Sequence, residues 1–401
     1  MDYKKRLRRN ISLAYINSFV IALIFIIPVW VAFERRVLTF TQMALVEVFA
    51  AGITTFLELP TGALADLIGR RKTIMVGWFI RALGNIYLAF ASNSLMFFTG
   101  FGVCAVGTAL ISGSDIALIF DSLKELNKED HYSNFNARSS LIHRAGLALS
   151  TFLGGYLYHL WVGLPYVMMG VFEFVAIIFA FLMIEPKIDT EKFTLKSYVK
   201  QTKDGFKELF KSSYMRKLTV YYTLVGGITW CCLYYFNQPF AKDLGFSEVG
   251  QSWLFGILTL INALLILAVV ETKKLLTRNR VYLAFPIIMS LAFLPGYFAS
   301  KGLGSLLLLG VMFAGSARFA ILDKYANKDF LSKYRATAVS SLNMLVSIFY
   351  MVVVGVSGKI QDLYSTKLIF SLLGILTLFL VFPSSLSLVR EYKKYNLNKK
   401  A

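Results

Sequence analysis

Charge is scarce in this chain. Of its 401 residues only 16% are Asp, Glu, Lys or Arg, against 57% hydrophobic. A soluble domain carries about a quarter charged residues to wet its surface, so an ordinary soluble globule is excluded. Acidic residues are the scarcer sign, 23 against 42 basic, for a net charge of +19. In a soluble protein that excess would point to nucleic acid. Here the cations are sorted by position along the chain, and no nucleic-acid partner is expected. The three cysteines, Cys104, Cys231 and Cys232, all fall in apolar runs. They form neither a disulfide framework nor a metal-ligand spacing and read as small buried hydrophobes. Histidine is limited to His131, His143 and His159. With no H-E-x-x-H pair, no nucleophile set and no glycine-rich phosphate loop, neither an enzyme nor an ATP-driven pump is expected, and no metal or cofactor.

Long apolar runs are what the chain does have. A bilayer core about 30 Å thick needs roughly 20 apolar residues in a helix rising 1.5 Å each. Runs of that kind lie at 10–34, 41–62, 73–92, 95–121, 139–160, 163–185, 216–240, 249–271, 281–300, 303–323, 336–358 and 366–389. The first is too long for a signal-peptide core and reads as a retained span. With the N-terminus inside, 33 Lys and Arg fall on the cytoplasmic side and six on the other, while Arg81, Arg144 and Arg318 stay within spans. That bias orients the chain with both termini cytoplasmic. The expected class is an all-α membrane protein with 12 transmembrane helices in the cell membrane.

The spans divide into six and six: an N-terminal bundle at 1–185, a linker at 186–215 and a C-terminal bundle at 216–401. In the linker, Leu195, Val199, Phe206, Leu209 and Phe210 recur at helical spacing with lysines opposite. That pattern fits a basic amphipathic helix on the cytoplasmic leaflet, with a disordered tether as the alternative. The halves also echo each other. Span four ends at Asp121, followed by Asn127-Lys128, Arg138 and Ser139-Ser140-Leu141; span ten ends at Asp323, followed by Asn327-Lys328, Arg335 and Ser340-Ser341-Leu342. A parallel six-helix repeat of this kind suits two halves rocking about a central site.

The loop between spans two and three reads Gly62-Ala-Leu-Ala-Asp66-Leu-Ile-Gly69-Arg70-Arg71-Lys72. It resembles the signature loop of the major facilitator superfamily, glycine-x-leucine-x-aspartate-x-x-glycine-arginine-arginine. The motif covers about a dozen residues, and the likeness in topology covers the whole chain. The resemblance implies the major facilitator fold. It also implies that Asp66 faces the N-terminal end of the eleventh helix, where the dipole favours an anion, and latches the cytoplasmic side. Arg70 or Arg71 would reach a carboxylate at the end of span four, where Asp121 stands. Gly62 allows close helix approach and Gly69 a tight turn. The equivalent loop of the second half, Glu271 to Arg278, lacks both glycines. The chain leans toward the drug–proton antiporter branch. It departs from that branch near Gly107, where no arginine stands in span four, and at Gly154-Gly155, which no glycine-proline precedes.

Ionisable groups inside spans are costly and turn inward. Glu47 and Glu58 are 11 residues apart, so at 100° per residue they share a face within about 20°, with Thr54 between them. Asp115 shares a stripe with Thr108 and Ser112, and Arg144 enters span five at a similar depth, so these two are expected to pair. Glu173 lies mid-span six, either carrying a proton or donating a hydrogen bond while neutral. As proton-coupling groups, Glu47, with Arg36 the cation nearest its depth, ranks before Asp115 and Asp115 before Glu173. Tyr222, Gly226, Trp230, Tyr234 and Asn237 recur on one face of span seven. They either pack or line a cavity for an amphipathic ligand, to which Arg318 and Asn343 would also belong. The function expected is proton-coupled efflux of a small amphipathic organic compound by alternating access, performed by a monomer. Proton symport of a nutrient or metabolite is the alternative.

Overall fold

The computed structural model describes residues 2–187, 195–271, 277–331 and 335–398, and all regular secondary structure among them is helical. Two compact units form, Met1–Leu195 with Glu248–Gly256 and Lys196–Ser247 with Ile257–Ala401. Helices run in chain order as α1 (Tyr3–Val20), α2 (Trp30–Glu34), α3 (Phe40–Ile68), α4 (Arg70–Ala89), α5 (Ser94–Ile111), α6 (Ser114–Glu125), α7 (Tyr132–Leu160) and α8 (Leu164–Leu182). They continue as α9 (Leu195–Phe210), α10 (Ser213–Cys231), α11 (Asn237–Asp243), α12 (Glu248–Glu271), α13 (Arg278–Phe293) and α14 (Lys301–Ala317). The chain closes with α15 (Asp323–Asp329), α16 (Arg335–Leu363), α17 (Thr366–Leu376) and α18 (Phe382–Asn398). Eight helical stretches among the described residues are long and apolar enough to cross a membrane. The first, third, fifth and seventh expected spans are not among them. The first is interrupted, and α4, α7 and α10 carry arginines, serines and threonines within their length.

Local chemistry sets the helix ends. Thr39 and Gln42 cap α3 reciprocally, each side chain bonded to the other's backbone N–H. Asn93 and Ser212 accept the third amide of α5 and α10. Between α3 and α4 the turn needs Gly69, whose φ of 97° is hostile to a side chain. In the first unit α4 and α5 touch backbone to backbone. A Cβ on Gly107 would lie 2.6 Å from the Arg81 Cγ, and one on Gly77 2.7 Å from Ile111.

Several expected spans are not continuous rods. The first bends through 21–29, and the fourth breaks at Ser112–Gly113, where Gly113 has φ 76°. The tenth does not stop at Asp323. It widens to a π segment over Arg318–Leu322 and runs on through α15 to Asp329. Similar π segments follow α10 and α17, at Cys232–Phe236 and Thr377–Val381. Each π turn inserts a residue and rotates everything beyond it.

Of the linker, residues 188–194 and the side chains of Leu195 and Val199 lie outside those described. The helix α9 packs on the second unit. Leu209 is buried, with its carbonyl accepting from Thr219 at 3.0 Å, and a Cβ on Gly205 would meet Thr337 at 2.7 Å. Phe210 and Lys207 point outward.

Candidate functional site

The signature loop opens α4, and its arginines take separate partners. Arg70 pairs with Asp121 at the end of α6. Arg71 donates to the Met183 carbonyl at 3.1 Å and lies over the Phe181 ring. A residue not singled out in the sequence organises both. Glu185, just past α8, accepts the backbone amides of Arg70 and Arg71 at 2.8 and 2.9 Å. A carboxylate at the first amides of a helix satisfies orphan donors and complements the dipole. An acid within a strongly cationic loop was the signal available for it. The surroundings of Gly62 and the side chain of Asp66 lie outside those described, so the geometry does not reach the Asp66 latch.

The second half holds a counterpart. Arg278, at the start of α13, pairs with Asp329 at 2.6 Å, and Asp329 also accepts from Tyr214 at 2.8 Å. Arg278 stacks over Tyr325 and Tyr392 at 5.0 and 5.2 Å. Burial holds the Tyr214 hydroxyl well above the ordinary tyrosine range, so it stays a donor. The partner of the tenth-span end is therefore Asp329 rather than Asp323, because the helix continues beyond the π segment.

Deep in the first unit, Arg81 of α4 pairs with Glu173 of α8 at 2.8 Å. Asn85, one turn along, donates to the other Glu173 oxygen at 2.7 Å. Glu173 thus faces a cation and an amide donor rather than an acceptor. Arg81 also stacks over Trp78 at 5.0 Å and lies against Gly107. The cation missing from span four is supplied at that glycine by span three.

Asp115 and Arg144 are not paired among the described residues, contrary to expectation. The break at Gly113 starts a new helix, and Asp115 falls in its first turn with a carboxylate oxygen 2.7 Å from the Ile116 amide. The helix terminus substitutes for the arginine. Asp115 instead borders a cavity of about 130 Å³, lined also by Asn17, Ser18, Asn136 and Ser139. Ser112 donates to Glu58 at 2.9 Å. Thr54 is half-buried on α3. At the other end of α3, Glu47 is half-buried and within electrostatic reach of Glu34, a buried acid the sequence reading passed over as the last residue of span one. Arg36 turns to Phe33, donating to its carbonyl at 3.0 Å and covering its ring at 4.1 Å.

In the second unit the span-seven stripe meets Arg318. This arginine is 0% exposed. Its guanidinium lies over Tyr222, Phe319 and Trp230 at 4.6, 4.6 and 5.5 Å, and Nη2 donates to Asn343 at 3.2 Å. Gly226 makes room for it, since a Cβ there would approach the Arg318 Nε to 3.0 Å. Tyr222 donates to Asp323. Tyr234 packs edge-on to Trp230 and is exposed, whereas Asn237 is buried. Among the described residues no cluster of three His, Cys, Asp or Glu could hold a metal.

Comparison with known proteins agrees with this arrangement. The profile of the Major Facilitator Superfamily matches residues 11–317. The chain belongs to that superfamily, and it is accordingly a multi-pass membrane protein and a secondary transporter. An uncharacterized MFS-type transporter of Bacillus subtilis (strain 168), YxaM, is 22% identical over 365 residues, covering 89% of each chain. Among solved structures, a mutant of the nucleoside transporter NupG superposes with a TM-score of 0.76 at 15% identity, over 96% of this chain and 100% of that one. The POT family transporter PepTSo gives 0.71 at 15% identity over 99% of both. At such identities the shared property is the fold.

Proposed function

We propose that the chain moves a small organic solute by alternating access, coupled to protons, with twelve spans in two six-helix halves and both termini cytoplasmic in the cell membrane. The observation that carries the proton coupling is the Arg81–Glu173 pair with Asn85, sunk among apolar helices. A carboxylate in a membrane interior is tolerable when paired or when protonated. A rearrangement that parts Glu173 from Arg81 moves it from the first condition to the second, which is proton uptake linked to conformation. Glu47 and Asp115 remain further candidates. Asp66, by its loop, latches the cytoplasmic side, so Asp66→Asn is expected to slow transport without preventing insertion.

Uptake by symport is the direction placed first. The arginine and the glycine-proline of the antiporter branch are missing from spans four and five, and the Arg318 surroundings are rich in polar donors. Export of an amphipathic compound is the second reading, favoured by the aromatic faces of Tyr222, Trp230 and Phe319. The test is a panel of organic solutes added to proteoliposomes holding a pH-sensitive dye. Solute-dependent proton movement is expected with at least one class, inward with the solute for symport and opposed for antiport. Solute flux with no accompanying proton movement contradicts the coupling.

A further inference from the structure

The buried donors around Arg318 outnumber their acceptors. Arg318 Nε and Nη1 and Trp230 Nε1 are all buried and have no hydrogen-bond partner among the described residues. Only Nη2 is answered, by the Asn343 carbonyl oxygen at 3.2 Å. Aromatic faces steady the cation without accepting its in-plane N–H groups. Asp323, five residues along, lies within electrostatic reach of Arg318 but is engaged by the Tyr222 hydroxyl, and no direct ion pair reaches Arg318 among the described residues. Buried donors without acceptors are expensive, and a buried guanidinium whose nearby acid is held by a tyrosine is incompletely neutralised. Their concentration in one place, in a membrane interior, marks a site completed by something else.

We propose that Arg318 and Trp230 receive the carboxylate of the transported solute, and that the solute is an organic monoanion with a planar body. The second N–H of Nη2 forms a two-donor edge with Nε or with Nη1, whichever side Asn343 leaves open, and such an edge matches the two oxygens of a carboxylate, while the indole N–H adds a third donor. A single cation, with no second arginine or lysine shown against it among the described residues, balances one negative charge, which favours a carboxylate over a phosphate monoester. Trp230 and the exposed Tyr234, edge to face at 5.6 Å, offer the surface on which a planar group stacks. Gly226 is required because any side chain there would displace the guanidinium. The inference rests on the transporter reading and names its substrate class.

The experiment titrates purified full-length protein in lipid nanodiscs with benzoate, phenylacetate, indole-3-acetate and 2-naphthoate, each beside its primary amide, and with phenyl phosphate. The readouts are calorimetric binding and thermal stabilisation. At least one carboxylate is expected to bind roughly tenfold or more tighter than its amide and than phenyl phosphate. Arg318→Gln should erase that preference, Arg318→Lys keep part of it, and Trp230→Phe weaken binding while preserving the preference for the anion. Should Arg318→Gln fail to fold, Arg318→Lys and Gly226→Ala carry the comparison. Equal binding of acid and amide, a preference that survives Arg318→Gln, tighter binding of phenyl phosphate, or no binding by any carboxylate overturns the proposal. Proton-linked flux of a neutral solute in the liposome assay would then leave the transporter reading standing, whereas absence of any flux there would remove both.

Discussion

The two ion pairs Arg70–Asp121 and Arg278–Asp329 occupy equivalent places in their own units, each joining the start of one expected span to the far end of the next. Their surroundings differ. The first is framed by a glycine turn and by Glu185, which holds two backbone amides. The second has no glycine in its loop sequence, and among the described residues it is framed by tyrosines that donate to the acid and stack on the base. The signature loop and the ion pair are therefore separable. The glycines and the Glu185 cap serve a tight turn between α3 and α4, while the pair itself survives where the motif has been lost.

Breaking the second pair is expected to have the largest effect on stability. Asp329→Asn strands Arg278 among tyrosines with its counter-charge gone. Fully buried pairs cost ~3–5 kcal/mol when one partner is removed, and this one, with side chains 15% and 10% exposed, should cost about 2 kcal/mol. Asp121→Asn should cost less, since Glu185 still complements the α4 terminus. The midpoints of thermal unfolding in detergent rank the two, and the reverse order would show that the tyrosine frame is not what anchors the second pair. Next comes Glu185→Gln, which keeps an acceptor but loses the charge at the helix terminus, a loss of about 1 kcal/mol. The same change should loosen protease protection of the loop at 62–72. The smallest effect belongs to Lys217–Glu391, a half-buried pair at 2.9 Å whose side chains are 35% and 20% exposed. Glu391→Gln should lower the midpoint only slightly at low salt, and the small difference should shrink as salt is raised, because partly exposed pairs are screened.

How much of this was readable beforehand follows the same division. The signature loop lies in consecutive residues, so its turn was legible, while the resemblance left open whether Arg70 or Arg71 meets Asp121, and the packing of α4 on α6 gives it Arg70. The pairs that join distant helices were not. Arg81 with Glu173 depends on the rotational phase of two helices, and a lone carboxylate mid-span gave no hint of which neighbour it would meet. Asp115 was misassigned because Gly113 ends one helix and begins another, which replaced a side-chain cation with a helix terminus. Asp329 was missed because the π segment at 318–322 carries the helix further and turns it. Glu34 was counted as an edge residue, yet the irregular stretch at 21–29 folds it into the interior. The aromatic stripe of span seven was seen, and its meeting with Arg318 needed the packing of α10 against the end of α14 and against α16.

Glu173 and Arg81 test the central claim most directly. In proteoliposomes with an imposed pH gradient, the wild-type protein is expected to accumulate its solute against a concentration gradient. Glu173→Gln should abolish that accumulation while counterflow, the exchange of labelled for unlabelled solute with no gradient, persists. Glu173→Gln protein that still accumulates solute in response to the pH gradient as wild type does would contradict the account and return the Arg81–Glu173 pair to a purely structural role.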